Sequence, residues 1–392
     1  MVQRPCIVIV AGETSGDHLA AGLIKALRAR RPQWVFAGVA GPAMVAVGCE
    51  VWAAADELAV MGLFEVIKHL PRLLRLRAMV LRRTRLAAPL AFVGVDAPEF
   101  NLGLAAKLVG ASFPAIQYVS PQVWAWRSGR VHQMAKTLKL VLCVLPFEKP
   151  FYEGHGLAAE FVGHPLADRL PLTADRAGAR QALGIPATGE WVALLPGSRA
   201  AEVSRLAADF LGAAEQLLLK RPALRFLVPL ANSRARQLFE EALRTRPALA
   251  SKLMLLDGRS SEVLTASDCV LVASGTATLE TLLCKRPMVV AYKLGRATAW
   301  LVRWLRLMKA PFFSQPNLLA GRAVVCELLQ EAVTPQRLAQ EVLLWLDSPA
   351  RVSDLQAEFT RIHARLRLGA SERAAEAIIA LVEAKSADRH LS

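Results

Sequence analysis

The sequence predicts an α/β protein built from two similar doubly wound units in tandem. Short β-branched runs alternate with amphipathic stretches along the chain, which is typical of parallel sheets covered by crossover helices. This alternation restarts near the middle of the chain. The 392 residues, 54% of them hydrophobic, are also enough to form two separate cores.

In the first half, strands are expected where short apolar runs end near Gly or Pro. The expected strands are 6–11, 34–38, 90–95, 115–119 and 140–145. Helical periodicity between these runs predicts helices such as 19–31 and 99–109.

In the second half, the same pattern predicts strands at 191–195, 225–229, 252–256, 269–273 and 288–292, with helices at 202–220 and 278–284. Dense Gly and Pro between 170 and 189 favour a boundary there, giving domains 1–170 and 171–350. The tail 351–392 is helical and charged. The sequence leaves open whether this tail packs back on the first domain or on the partner subunit of a homodimer.

Charge is the unusual bulk property of the chain. Its 48 Lys and Arg against 33 Asp and Glu give a net charge of +15, which implies an anionic partner. Nucleic acid is disfavoured, since no RNA-recognition, KH, zinc-finger or helix-turn-helix signature is found. Anionic lipid and phosphorylated substrates remain as candidate partners for the basic chain.

The chain is expected to be cytoplasmic. Its six cysteines are widely spaced without a C-x-x-C pair, as in proteins with reduced thiols. The longest uncharged run, 108–126, contains two prolines and a glycine, so it does not predict a membrane span. The first apolar run meets Glu13 and Asp17 too soon for a signal peptide.

Ligands of doubly wound folds bind beyond the carboxyl ends of the strands, so four loops there are candidate sites. The first, 11–17 (AGETSGD), combines glycines with Glu13 and Ser15, whose side chains can hydrogen-bond a polyol. Helix capping by Ser15 or Asp17 is the alternative role. The loop lacks G-x-G-x-x-G, which disfavours a dinucleotide.

The second loop, 93–101 (VGVDAPEFN), places Asp96 at the end of a buried strand. A carboxylate at this position could act as a general base on a sugar hydroxyl. Asp96 with Glu99 three residues later also fits a capping box, and the residues of this loop alone favour the cap.

The third loop, 194–199 (LLPGSR), offers the hydroxyl of Ser198 and the guanidinium of Arg199. An arginine in a surface turn is commonplace, but this turn follows the first strand of the second unit. The position favours contact with a phosphate.

The fourth loop, 273–280 (ASGTATLE), begins a helix with small residues and is suited to a diphosphate. The residues of interest are Ser274, Gly275, Thr276, Thr278 and Glu280. N-capping by Ser274 or Thr276 is the alternative. Glu280 could accept from ribose hydroxyls or merely complement the helix dipole.

Several signatures are missing from the sequence. It contains no G-x-x-x-x-G-K-[ST], H-E-x-x-H or G-x-S-x-G motif, which disfavours a P-loop NTPase, a zincin and an α/β-hydrolase. No D-x-D pair is present and the seven histidines do not cluster, so neither a metal nor a cofactor is expected. A helix dipole and Arg199 would then neutralise a diphosphate.

Two segments, 68–85 and 293–313, mix cations with large apolar residues. Both suit a membrane interface, although a helix packed on its own domain gives the same pattern. With the overall charge, interfacial docking is preferred. The candidate contacts with membrane or acyl chains are Arg72, Arg75, Trp300, Arg303, Trp304 and Arg306.

Nine blocks of the sequence, in order, together resemble the lipid-A-disaccharide synthase family of glycosyltransferases. They are AGETSGD (11–17), GVAGPAM (38–44), VGVDAPEFN (93–101), YVSPQVWAW (118–126), LPFE (145–148), FVGHP (161–165), LPGSR (195–199), ASGTATLE (273–280) and PNLLAGRAVVCELLQ (316–330). Ala40 stands where the family pattern has a second glycine, and Cys326 where it has a proline.

The resemblance implies the GT-B fold, with two Rossmann-like doubly wound domains facing across a cleft. It implies inverting transfer of a diacylglucosamine unit from UDP-2,3-diacylglucosamine to 2,3-diacylglucosamine 1-phosphate, giving a β-1′,6 disaccharide 1-phosphate and UDP. The protein would work peripherally on the cytoplasmic face of the inner membrane, whose anionic lipid is the expected surface partner.

The resemblance also implies roles for individual residues. Asp96 would be the general base, and Arg199 with Ser198 would hold donor phosphate. The helix start Ser274–Glu280 would hold UDP. Glu13 and Ser15 would face the reacting sugars, and Asn317 and Glu327 would complete the nucleotide pocket.

Two other functions remain open from the sequence. Another UDP-sugar enzyme, an epimerase or transferase, would use the same fold, because a fold does not determine its function. A nonenzymatic basic protein that binds nucleic acid or membrane would account for the charge but not for the four loops.

Overall fold

A computed structural model describes residues 4–58, 63–126, 129–295 and 311–391. The chain divides into two compact units. The first unit is Met1–Asp168 together with Leu366–Ser392, and the second unit is Arg169–Arg365.

The described strands form two sheets. In chain order they are β1 (Cys6–Ala11), β2 (Val35–Ala40), β3 (Glu50–Ala54), β4 (Ala91–Val95), β5 (Ala115–Tyr118), β6 (Leu140–Cys143), β7 (Ala159–Phe161), β8 (Trp191–Leu195), β9 (Arg225–Leu230), β10 (Leu253–Asp257), β11 (Cys269–Ala273), β12 (Met288–Tyr292) and β13 (Cys326–Leu329).

Helices alternate with these strands. They are α1 (Glu13–Arg30), α2 (Pro42–Ala46), α3 (Leu63–Ala87), α4 (Pro98–Lys107), α5 (Val123–Trp126), α6 (Arg130–Thr137), α7 (Glu148–Glu153), α8 (Pro165–Arg169), α9 (Arg176–Leu183), α10 (Ala200–Lys220), α11 (Ser233–Arg244), α12 (Ser260–Ala266), α13 (Thr276–Leu283), α14 (Gln315–Ala320), α15 (Pro335–Leu346), α16 (Pro349–Leu366) and α17 (Ala370–Leu391). Short 3₁₀ turns lie at Ala55–Leu58, Pro247–Lys252 and Gln330–Ala332.

The sheet of the first unit has the strand order β3-β2-β1-β4-β5-β6-β7, and its neighbouring strands are parallel. The chain order reverses between β1 and β4. In open parallel sheets this reversal opens a crevice at the carboxyl ends of the two strands, where ligands bind.

The sheet of the second unit has the order β10-β9-β8-β11-β12-β13, again with parallel neighbours. Its reversal lies between β8 and β11. The two units therefore share one topology, and each has its own point at which a ligand crevice is expected.

The core of the first unit explains why its central strands are nearly all apolar. Ile7, Val8 and Ile9 of β1 are fully buried, as expected for a parallel strand covered on both faces. Val8 belongs to a cluster with Phe100 and Leu104 of α4. This packing fixes α4, and with it the loop that joins β4 to α4.

The C-terminal helix α17 packs against α1 within the first unit. Ala374, Ala375 and Ile378 of α17 are fully buried. Asp168 accepts hydrogen bonds from the backbone N–H groups of Gly369 (2.9 Å) and Ala370 (2.7 Å), so it caps the start of this helix.

The tail expected at 351–392 is therefore split between the two units. Its first part lies in α16, which belongs mostly to the second unit, and only the residues from Leu366 onward belong to the first. The expected boundary at 170 lies two residues beyond the boundary in the structure, Asp168 to Arg169.

The predicted strands are confirmed, with ends that differ by at most two residues. The strands that the sequence missed are β3, β7 and β13, which all lie at sheet edges. These three strands are partly exposed, so they lack the buried apolar run by which a central strand is recognised. The edge strand β10 was predicted because its first four residues, LMLL, are all apolar.

Candidate active site

Each unit brings two of the four candidate loops to its topological reversal point. In the first unit, loop 11–17 follows β1 and Asp96 follows β4. In the second unit, loop 194–199 follows β8 and loop 273–280 follows β11. In each sheet the strand order therefore places side by side two loops that are about 80 residues apart in the sequence.

Asp96 is half-buried and lies in a strained turn. Its φ is +52° and that of Ala97 is +38°, both in the left-handed region that non-glycine residues rarely adopt. Burial raises the pKa of the Asp96 carboxyl, while hydrogen bonds from the Ala97 N–H and the Ser15 hydroxyl act in the opposite direction. A carboxylate with a raised pKa is a stronger proton acceptor.

The capping box expected from Asp96 and Glu99 is wrong. Helix α4 begins at Pro98, so its N-cap is Ala97, which has no side-chain cap. Proline is favoured at the first helical position because the N–H that it lacks would have no partner within the helix. The Glu99 carboxylate instead pairs with Arg130, at 2.5 and 3.0 Å.

Loop 11–17 packs closely on the Asp96 turn, and Gly12 makes this possible. A Cβ at Gly12 would come within 2.8 Å of the Ala97 Cβ, which is too close, whereas one at Gly16 would lie in ordinary contact, 3.6 Å from the Asp96 Cβ. The close approach lets the exposed Ser15 donate to the Asp96 carboxylate.

The other members of this loop differ from the sequence expectation. Helix α1 begins at Glu13, a half-buried residue with a φ of +58°, so neither Ser15 nor Asp17 is its N-cap. Asp17 is buried and accepts from the backbone N–H groups of Gly41 (3.0 Å), Ala43 (2.8 Å) and Met44 (3.0 Å). It therefore caps α2, from 24 or more residues away.

Sequence reasoning attached no role to Glu148, the last residue of the LPFE block. This buried carboxyl accepts from Leu145 N–H (3.1 Å) and from Trp124 Nε1 (3.3 Å) and is also hydrogen-bonded by Ser120. Burial raises its pKa to about 7. Glu148 thus ties the loop after β5 to the loop after β6.

Loop 194–199 is held by Glu202 in the first turn of α10. One Glu202 oxygen accepts from the N–H groups of Ser198 (3.1 Å) and Arg199 (3.3 Å). The side chain of Arg199 is 62% exposed and lies 3.8 Å from the same carboxylate. Because the N–H groups of Ser198 and Arg199 are occupied, these two residues can offer a ligand only their exposed side chains.

The start of α13 has Gly275 as its N-cap and no side-chain cap, so the expected capping by Ser274 or Thr276 is wrong. Gly275 has a φ of +145°, which only glycine adopts readily. Gly275 and Thr276 are exposed. An uncapped helix N-terminus whose N-cap and first residue are exposed suits an anion.

The other two residues of this loop hold a neighbouring segment. Ser274 donates to the Phe313 carbonyl (3.2 Å), and Thr278, fully buried, accepts from Gln315 N–H (3.3 Å). They fasten the segment that precedes α14 to the start of α13.

Glu280 accepts one hydrogen bond on each carboxylate oxygen, from Ser260 (2.9 Å) and Ser261 (2.7 Å). These serines begin α12, which follows β10. Each oxygen keeps a further lone pair, and the side chain is only half-buried.

Asn317 and Glu327 are both committed to internal hydrogen bonds. Asn317 donates to Val325 O (3.0 Å) and Glu327 (2.8 Å) and accepts from the N–H groups of Val324 and Val325. Glu327 also accepts from the backbone of Phe313 (3.0 Å) and Ser314 (2.9 Å). The pair shapes the loop before α14, and Asn317 has no amide hydrogen left for a ligand.

The cationic candidates lie only partly within the described residues. Arg72 and Arg75 are exposed on α3, beside the partly exposed apolar side chains of Leu70 (46%) and Leu74 (49%). Arg72 is 3.4 Å from Glu57. Trp300, Arg303, Trp304 and Arg306 lie outside the described residues.

The described part of the chain contains neither a helix suited to span a membrane nor a cluster of metal-binding side chains. None of its helices is both long and apolar enough to cross a membrane. It also contains no group of three or more His, Cys, Asp or Glu side chains placed to hold a metal ion.

Solved structures of low sequence identity share the fold. The UDP-GlcNAc 2-epimerase from Neisseria meningitidis, bound to UDP-GlcNAc, matches with a TM-score of 0.66 and 12% identity, over 95% of this chain and 99% of that one. Acinetobacter baumannii MurG matches with a TM-score of 0.53 and 14% identity, over 96% and 99%. These similarities establish the two-domain α/β fold of GT-B glycosyltransferases.

Sequence comparisons are more specific. The family model described as lipid-A-disaccharide synthetase matches residues 7–381. A lipid-A-disaccharide synthase of Pseudomonas aeruginosa (strain UCBPP-PA14) is 50% identical over 377 residues, 96% of this chain and 98% of that protein. One from Serratia proteamaculans (strain 568) is 47% identical over 385 residues, 98% of this chain and all of its own length. The resemblance seen in the sequence is confirmed, and the chain belongs to the lipid-A-disaccharide synthase family.

Proposed function

We propose that the protein is an inverting glycosyltransferase that joins UDP-2,3-diacylglucosamine to 2,3-diacylglucosamine 1-phosphate. The observation that carries the proposal is the Asp96 carboxylate, which lies at the reversal point of the first unit with a raised pKa and a hydrogen bond from Ser15. The products are the β-1′,6 disaccharide 1-phosphate and UDP.

In the proposed reaction, Asp96 accepts the proton of the acceptor 6-hydroxyl as that oxygen attacks C1 of the donor sugar. The bond from C1 to the UDP oxygen breaks on the opposite face, and UDP leaves with the bonding electron pair. One displacement inverts the configuration at C1. Glu13 and Ser15 would contact the reacting sugars beside the base.

Residues of the second unit would hold the donor nucleotide. We assign donor phosphate to the exposed side chains of Ser198 and Arg199 and to the uncapped start of α13, where the helix dipole favours negative charge. Glu280 would accept from ribose hydroxyls with its remaining lone pairs. Asn317 and Glu327 would act indirectly, by holding the loop that Ser274 and Thr278 fasten.

Product analysis tests the function. Purified protein is incubated with both substrates in the presence of a chelator, and UDP and disaccharide are followed by mass spectrometry. We expect both products in equal amounts. UDP release without disaccharide, or epimerised donor alone, would reject the proposed reaction in favour of other UDP-sugar chemistry.

The hydroxyl of Ser15 gives a test by pH. It lowers the pKa of the Asp96 carboxyl, so Ser15→Ala should leave that pKa higher than in the wild type. A general base works only when deprotonated, so the acid limb of the kcat/KM profile should move to higher pH. Thr14→Ala, at the exposed neighbouring position, should leave the limb in place. A limb that stays put in Ser15→Ala, or moves to lower pH, would contradict the contact.

We also propose that α3 docks the protein on the cytoplasmic face of the inner membrane, where the acylated substrates would lie. The exposed Leu70 and Leu74 beside Arg72 and Arg75 support this role. Each cation near an anionic lipid surface contributes about 1 kcal/mol of attraction, which salt weakens.

Vesicle binding tests the docking. Changing Arg72 and Arg75 of α3 to Gln should lower binding to anionic vesicles more than it lowers turnover of detergent-dispersed substrate. Changing Arg303 and Arg306 to Gln as well should lower vesicle binding further. A control removes the same charge from exposed cations elsewhere: Lys139, Lys220, Arg225 and Arg244. Equal losses in the two assays, or equal loss of vesicle binding in the control, would rule out a membrane role for α3.

A further inference from the structure

The main chain around Asp96 is strained on two neighbouring strands at once. Asp96 and Ala97 follow β4 with φ values of +52° and +38°, and Val119 follows β5 with a φ of +69°. Residues in this conformation are energetically unfavourable and persist only where their surroundings hold them. A β-branched residue such as Val119 is especially unfavourable there.

Two buried carboxamides hold this strained chain. Asn101 of α4 donates to the Asp96 carbonyl (2.9 Å) and to Val10 O (3.3 Å). Gln117 of β5 donates to the same Asp96 carbonyl (3.0 Å) and to Val119 O (3.2 Å). Both amides therefore donate to the Asp96 carbonyl, and Gln117 also links the Asp96 turn to the Val119 turn.

The space for this amide clamp, Asn101 with Gln117, comes from a glycine in β4. A Cβ at Gly94 would lie 2.6 Å from the Asn101 Cβ and 2.9 Å from Gln117 Oε1. Both amides are 1% exposed, so water does not compete for the carbonyls that they bind. Their hydrogen bonds therefore constrain the turn strongly.

We propose that Asn101 and Gln117 are positioning residues for the reaction, which fix the direction of the Asp96 carboxylate by clamping its main-chain carbonyl. The proposal rests on the proposed role of Asp96 as the base. The hydrogen bonds described for both amides go to main-chain carbonyls, so they act through the backbone of Asp96 and not on the substrate. A base displaced by a fraction of an ångström transfers its proton poorly.

The test compares three variants in two backgrounds. Asn101→Leu and Gln117→Met keep the size of the side chain and remove its donor, and Gln117→Asn keeps the amide but shortens its reach by one methylene. In the wild-type background we expect kcat to fall at least tenfold, with KM for both substrates changed less than threefold. In the Asp96→Ala background the same changes should alter the residual kcat less than twofold, because the group they position is absent.

A control variant distinguishes a loss of kcat caused by lower protein stability from one caused by a displaced Asp96 carboxylate. Thr84→Val removes a fully buried hydroxyl of α3 that donates to Val80 O (2.8 Å), in the same unit. Rates are expressed per folded protein from circular dichroism, and Thr84→Val should keep its kcat. The shorter Gln117→Asn supplies a milder change if Gln117→Met does not fold.

The outcomes distinguish the possible failures. An undiminished kcat in the folded variants, or an equal fractional loss in both backgrounds, would overturn the positioning role. Full activity of Asp96→Ala would instead overturn the assignment of the base and the clamp with it. No disaccharide from the wild-type protein would reject the proposed reaction itself.

Discussion

Asp96→Ala should lower kcat by about 10²- to 10⁴-fold while the protein stays folded. The change removes the half-buried carboxylate that would accept the acceptor proton, and it leaves untouched the residues of the second unit that we propose to hold the nucleotide. KM for the UDP-sugar should therefore change little. The measurement is initial disaccharide formation on detergent-dispersed substrates, with the urea midpoint as a check on folding.

Glu99→Ala is the matched control for this change. Glu99 lies three residues later, has an exposed side chain (74%) and pairs with Arg130. An exposed ion pair contributes at most about 1 kcal/mol, so we expect near wild-type turnover. If Asp96→Ala keeps more than a tenth of the wild-type kcat, Asp96 is not the base.

Gly38→Ala should have the largest effect on stability. Gly38 of β2 has a φ of +152°, and a Cβ there would lie 1.9 Å from the backbone oxygen of Ile9 in the neighbouring strand β1. The clash is with the backbone of the neighbouring strand, so it cannot be relieved by a side-chain rotation. We expect a loss of more than about 3 kcal/mol in the free energy of unfolding, measured by urea denaturation.

Gly129→Ala provides the comparison. Gly129 has a right-handed helical conformation (φ −63°), and no described atom lies within 4 Å of the Cβ that alanine would add. Its free energy of unfolding should stay within about 0.5 kcal/mol of the wild-type value. If Gly38→Ala is as stable as Gly129→Ala, then β2 can move away from β1 to accommodate the added Cβ without loss of free energy of unfolding, and the prediction is wrong.

The fold could be predicted from the sequence because its central strands are buried on both faces. Such strands are uninterrupted apolar runs, as in CIVIVA of β1, and they need no knowledge of their neighbours to be recognised. The edge strands β3 (EVWAA) and β13 (CELL) are partly exposed, and each contains a charged residue in place of an uninterrupted apolar run. Their place in the sheet is decided by contacts that are distant in sequence.

The parts of the candidate site that depend on local sequence were predicted, and those that depend on contacts between distant residues were missed. The four loops were predicted because strand ends mark them locally. Asp17, which caps α2, and Gln117, which binds Asp96 from 21 residues away, act over distances that no local pattern reports. A glutamine inside the buried strand AIQY was nevertheless a signal, since a buried amide requires partners.

The division of the first unit has a consequence for biosynthesis. The second unit, Arg169–Arg365, is continuous, whereas the first needs α17 from the far end of the chain to cover α1. Domains usually fold in the order in which the ribosome releases them. Here the N-terminal unit emerges first, and we expect the face of α1 to stay uncovered until α17 has been translated. We therefore expect nascent chains stalled before α17 to contain a protease-resistant second unit and a first unit that is still sensitive to cleavage and bound by chaperones.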